Sequence, residues 1–153
     1  MIFERTADLG LVRSILTDPG VYPYIADDFS PAREDFAVNA HPDIRYVLAI
    51  DGGWLAGMFV FLPRSAIRWE VHVAMLRKVP PAVTHRAGRE IVAWLWENTA
   101  CQRLVAEVPV CNKAAVRFGL QAMEMKAFGR DRAAFARHGQ LQDLILMGIG
   151  RPV

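Results

Sequence analysis

Glu70 and His72 stand two residues apart in Arg68-Trp69-Glu70-Val71-His72-Val73-Ala74-Met75-Leu76, a run in which apolar and polar residues alternate. In an extended chain successive side chains point to opposite faces, so this carboxylate and imidazole share one face while Trp69, Val71, Val73 and Met75 share the other. Either polar group could take a proton from a nucleophile, with Glu70 ranked ahead of His72. The plainer reading is a half-solvated strand face. A second concentration surrounds Pro80-Pro81, where a long helix begins: Arg77, Lys78, His85 and Arg86 bring positive charge to a helix N-terminus, an arrangement that suits an anion. Ordinary surface charge is the alternative. Asn112 opens another helix, and Asn is among the best N-caps. Early in the chain Tyr22, Tyr24, Asp27 and Asp28 fall in one loop. The acidic pair could attract a cation, although two Asp after a helix more often serve a solvated turn.

These groups need a scaffold, and its elements are legible in order. Met1 to Arg5 is a short strand. Thr6 is a candidate N-cap with Asp8 in the first turn, followed by Leu9, Val12, Ile15 and Leu16 at helical spacing; Asp18-Pro19-Gly20 stops the helix. Val21 to Phe29 reads as a loop. Ser30-Pro31 reads as N-cap and first position of a short helix from Ala32 to about Asn39. Ile44 to Ile50 and Trp54 to Leu62 are strands joined by Asp51-Gly52-Gly53, and with Arg68–Leu76 they form an antiparallel meander. From Pro81 to about Thr99 a helix carries Val83, Ala87, Ile91 and Leu95 along one side. A strand from Leu104 to Val108, the helix opened by Asn112, and a hairpin of Ala122–Phe128 with Leu141–Ile149 complete the chain. The hairpin encloses a polar excursion with Arg130, Arg132, Arg137 and His138.

The totals limit the function classes. A chain of 153 residues suits one domain, 1–153, and 53% hydrophobic with 22% charged residues describes a globular protein. A formal charge of +2 does not by itself support nucleic-acid binding. Cys101 and Cys111 flank one strand and read as free thiols. The longest apolar run, Leu55 to Leu62, is far too short for a bilayer, and no leader pattern opens the chain, so the expectation is a soluble protein of the reducing cytoplasm. No His, Cys, Asp and Glu combination has metal-ligand spacing, and neither a nucleophile elbow nor a Walker loop is present.

The whole element order, β-α-α-β-β-β-α-β-α-β-β, resembles the GNAT superfamily of acyl-CoA-dependent N-acetyltransferases. The most specific local match is Val108-Pro109-Val110-Cys111-Asn112-Lys113-Ala114-Ala115-Val116-Arg117-Phe118. It is similar to the family's segment of strand, Asn, two residues, Ala, two or three residues, and an aromatic. Ala93 to Cys101 is similar to GNAT-like proteins of phages and prophages. The resemblance implies a mixed α/β (α+β) fold: a mostly antiparallel sheet of six to seven strands, helices on both faces, and two central parallel strands that splay. It further implies acetyl-CoA as co-substrate and a small-molecule or peptide amine as acceptor, with Glu70 or His72 handling the proton. Met75, Leu76, Val83, Thr84, His85, Arg86 and Asn112 would then line the cofactor, and Tyr22, Tyr24, Asp27 and Asp28 the acceptor side. A homodimer is reasonable. Two departures stand out. The family's Arg/Gln-x-x-Gly-x-Gly/Ala turn is here Pro80-Pro81-Ala82-Val83-Thr84-His85, without glycine, and the position of the family's acid tyrosine is Gly119. Both favour a rival reading, in which the fold binds or assembles and transfers nothing.

Overall fold

A computed structural model describes all 153 residues. Its elements are β1 (Ile2–Thr6), α1 (Leu9–Leu16), α2 (Tyr22–Ile25), β2 (Arg45–Asp51), β3 (Trp54–Pro63), β4 (Arg68–Met75), α3 (Pro81–Asn98), β5 (Arg103–Pro109), α4 (Lys113–Arg117), β6 (Lys126–Arg137) and β7 (Gln140–Gly150). One seven-stranded sheet runs in the order β1-β2-β3-β4-β5-β7-β6. Every neighbouring pair is antiparallel except β4 and β5. That parallel ladder holds only three residue pairs, Arg68↔Arg103, Trp69↔Leu104 and Glu70↔Val105, before the strands part. The mixed α+β fold and the splayed central pair are those expected. No helix is long and apolar enough to cross a membrane.

The alternation of β4 divides the molecule into two cores. Trp69 and Val71 join Phe59, Phe61, Ile91, Leu95, Leu104 and Met147 in an 18-residue cluster beneath α3. On the opposite face Tyr46, Leu48, Met58, Val60 and Ala74 pack against Val12 and Ile15 of α1 in a cluster of eight. The smaller cluster takes nothing from β5, β6 or β7. Gly88 sets how closely α3 approaches the segment after α4: a Cβ there would lie 2.7 Å from Ala122 Cβ and 2.8 Å from the Phe118 ring.

Several local expectations are corrected. The first strand runs on to Thr6, and Asp8 is the N-cap of α1, accepting from Leu11 N at 3.0 Å; the Thr6 hydroxyl accepts from Asp8 N instead. The carboxylate two residues on holds the cap in place of the hydroxyl. Tyr22–Ile25, expected as loop, is one helical turn, because Pro23 in the first turn sacrifices an N–H that has no helical partner there. Ala32–Asn39 is not a helix. Only a 3-10 turn over Arg33–Asp35 forms, since that stretch has no apolar stripe to bury. Of the final hairpin's first strand, Ala122 closes a π-helical turn over Phe118–Ala122, and β6 starts at Lys126 and continues through the polar excursion. His138 and Gly139, with φ of 54° and 71°, make its two-residue turn. β6 is an exposed edge strand, so charged residues replaced the alternation that would have marked it.

Candidate active site

The parting of β4 and β5 opens a cavity of about 430 Å³, lined mostly by apolar side chains. From Val71 to Met75 the edge of β4 that faces β5 has no strand partner, so its backbone groups border the gap. A second cavity of about 240 Å³ shares Tyr24, Ile25, Val73, Met75, Asn112 and Ala114 with the first and reaches Arg77. Together they form a channel from the sheet to the loop preceding α3.

Glu70, His72, Met75, Thr84, Asn112 and Tyr24 all line the larger cavity. Glu70 is only 7% exposed, and both of its carboxylate oxygens are engaged: His72 Nε2 lies 2.8 Å from Oε1, and Arg64 donates to Oε2 from Nε at 2.8 Å, its second nitrogen 2.7 Å away. The hydrogen bond from His72, opposed by burial and assisted by Arg64, lowers the Glu70 carboxyl to about 2. With Nε2 turned to Glu70, Nδ1 of His72 has no partner in the protein. Asn112 fills the expected cap role. Its Oδ1 accepts from Ala115 N at 3.2 Å as the N-cap of α4, leaving the Nδ2 donors free toward the cavity.

Other expected site residues stand elsewhere. The Tyr22 side chain is buried and its hydroxyl donates to Pro31 O. Tyr24 remains at the mouth, with the Arg77 guanidinium 4.7 Å from its ring centre. Asp27 Oδ1 accepts from Phe29 N and from the Ser30 hydroxyl, and the two oxygens of Asp28 accept from His138 N and Gly139 N at 2.8 Å each. The acidic pair therefore fastens loops. Leu76 N is bonded to Ala56 O, and Leu76 packs on the α1 side. Val83 packs toward the α3-side core, His85 is exposed, and Arg86 is held by Asp51. Neither Val83 nor His85 lines the cavity.

The start of α3 departs further from an anion cradle than missing glycine alone implies. Pro80 and Pro81 have no N–H, and the amides of Val83 and Thr84 already donate to Pro80 O at 3.0 and 3.1 Å. Ala82 retains the one free amide of that turn. At the other departure, a Cβ on Gly119 would lie 2.3 Å from Sδ of the fully buried Met147, so no tyrosine fits there without displacing Met147.

No family model matches the sequence, and no curated protein does. Solved structures do match the fold. Spermidine N-acetyltransferase from Vibrio cholerae, solved with CoA and spermine, superposes with a TM-score of 0.77 at 13% identity, covering 97% of this chain and 94% of that one. The chain has the GNAT acetyltransferase fold. Ribosomal-protein-alanine N-acetyltransferase from Brucella melitensis gives a TM-score of 0.72 at 15% identity over 99% of this chain and all of that one. The Campylobacter jejuni N-acetyltransferase PseH, solved with acetyl coenzyme A, gives 0.58 at 14% identity over 72% and 70%. Within this GNAT scaffold, three cavity neighbours escaped the sequence reading: Arg64, Glu107 and Phe135. Arg64 sat in a turn without a signal, and Phe135 in the excursion. Glu107 would have emerged from counting alternate positions along Leu104–Val108.

Proposed function

We propose that the protein is an acyl-CoA-dependent N-acetyltransferase acting by direct attack of an amine on the thioester. The observation that carries this reading is the divergence of β4 and β5 after three residue pairs, which opens an apolar channel bordered by unpaired strand backbone. Those unpaired groups and the free Nδ2 of Asn112 suit the amides of a pantetheine arm, with Met75 and Thr84 along its sides. Arg77 and Lys78, neither of them in an ion pair, would meet the phosphates together with the Ala82 amide.

His72 takes the proton in this scheme, reversing the order inferred from sequence. A carboxyl held at about 2, with both oxygens already engaged, is a feeble base at neutral pH, whereas Nδ1 of His72 has no partner in the protein. Glu70, fixed by Arg64, orients the ring through Nε2 and presents Nδ1 to the acceptor. His72 takes one proton from the ammonium to free the nitrogen lone pair, the nitrogen bonds to the carbonyl carbon, the C–S bond breaks, and the second N–H proton leaves to replace the one given to the sulfur. Tyr24, the tyrosine at the cavity, is placed in the reading as the proton source for the departing sulfur. Most of the acceleration comes from holding both reactants in register.

A second reading, a GNAT-like binding or assembly protein of phage type, is favoured by the two prolines opening α3 and by Gly119. A melting experiment with acetyl-CoA separates the two. The transferase requires a rise in Tm, turnover of a primary amine, and a roughly hundredfold or greater loss of kcat in His72→Ala with CoA binding retained. No shift at millimolar acetyl-CoA favours the second reading.

A further inference from the structure

Continuing the register of β4 and β5 past their last pair reveals what the divergence sets face to face. Glu70 pairs with Val105. Two residues onward in each strand, on the same face, stand His72 and Glu107. A closed ladder would make them neighbours. Here they occupy opposite lips of the cavity, and the one side-chain partner of His72 is Glu70. Glu107 is exposed and has no ion-pair or side-chain hydrogen-bond partner.

The apolar walls lie on that same face. Leu144 pairs with Pro109, and Phe135 with Gln142, so alternation sets Leu144 and Phe135 on the side of Glu107. Tyr24 and Ile25 of α2 close the chamber opposite them. The charges can be tallied completely. Glu70 is matched by Arg64, and Arg137, 5.0 Å from the Phe135 ring centre, donates to the carbonyls of Tyr24 and Ala26. No Lys or Arg lines the cavity. Glu107 is its one carboxylate without a cation.

We infer that Glu107 selects the acceptor, binding the ammonium of a primary amine whose body is apolar and carries no second charge. The identity of the amine as an acyl acceptor rests on the transferase reading; its recognition by Glu107 does not. A polyamine would have to desolvate further ammonium groups against Tyr24, Ile25, Phe135 and Leu144 without anions to meet them. A free amino acid would set its own carboxylate beside Glu107.

Calorimetry on the full chain, with and without CoA, tests this with 2-phenylethylamine and spermidine as probes. The expected result is at least tenfold tighter binding of 2-phenylethylamine than of spermidine. Glu107→Gln should weaken 2-phenylethylamine by roughly ten- to a hundredfold, the usual effect of losing a charge-assisted hydrogen bond, and leave CoA affinity within about twofold. Glu107→Lys, with folding checked by circular dichroism, should abolish amine binding. Equal or tighter binding of spermidine, no binding of 2-phenylethylamine, or an affinity unchanged by Glu107→Gln would each overturn the inference. Amine binding that depends on Glu107 without any acetyl transfer would uphold it and remove the transferase reading. Acetyl transfer with a KM indifferent to Glu107→Gln would do the reverse.

Discussion

Replacing Glu70 by Gln keeps the shape of the side chain and removes its charge, so it isolates the Arg64–Glu70–His72 chain. The fall of the Glu70 carboxyl from its ordinary 4.5 to about 2 corresponds to roughly 3 kcal/mol at about 1.4 kcal/mol per unit. Arg64 and His72 are each 54% exposed at their side chains, and solvent screening reduces this to about 2 kcal/mol. The sign follows from the direction. Because the folded value is depressed, the stabilisation is complete above 4.5 and disappears as pH falls from 4.5 toward 2. Urea unfolding of wild type and Glu70→Gln at a series of pH values should therefore show a difference of about 2 kcal/mol at neutral pH, narrowing steadily below pH 4.5. Comparing the two proteins at each pH cancels the acid destabilisation contributed by other carboxylates. A difference that stays constant down to pH 3 would refute the argument, as would one below about 0.5 kcal/mol at neutral pH, which is ordinary for a surface substitution.

Two further substitutions probe the channel's construction. Gly88→Ala gains helix propensity but forces its methyl against Ala122 and Phe118, for a net loss of about 1–2 kcal/mol and a Tm lower by several degrees; an unchanged or raised Tm contradicts the packing described. Pro80→Ala restores an amide at the start of α3, and calorimetry with CoA should show affinity rising roughly three- to tenfold, while the looser unfolded chain costs about 0.4–1 kcal/mol of stability.

The sheet was legible because its signals are local. The alternation of Arg68–Leu76 gave β4, and Asp51-Gly52-Gly53 gave a turn in which both glycines adopt positive φ, 56° and 82°. The parting of β4 and β5 was inferred from resemblance, since no residue in either strand announces where a ladder ends. Asp27 and Asp28 could be read only as a turn pair, because their partners, the Ser30 hydroxyl and the amides of His138 and Gly139, are decided by folding. The occupation of Glu70 was hidden for the same reason. Arg64 reaches Glu70 through a turn, and only the closed turn shows that the carboxylate is already occupied. Counting alternate positions along β5 singles out Glu107, but only the register of β4 and β5, continued past Glu70↔Val105, sets it across from His72.

The strand that follows β6 in the chain is an interior one. β7 lies between β5 and β6, so one wall of the chamber is bare until residues after 140 have left the ribosome. Asp28 waits equally long, for amides 110 and 111 residues away. A nascent chain thus holds β4 early and the full cavity only once β7 has emerged. Contacts of such sequence separation form slowly, and an unpaired β5 would be the surface most in need of a chaperone during that delay.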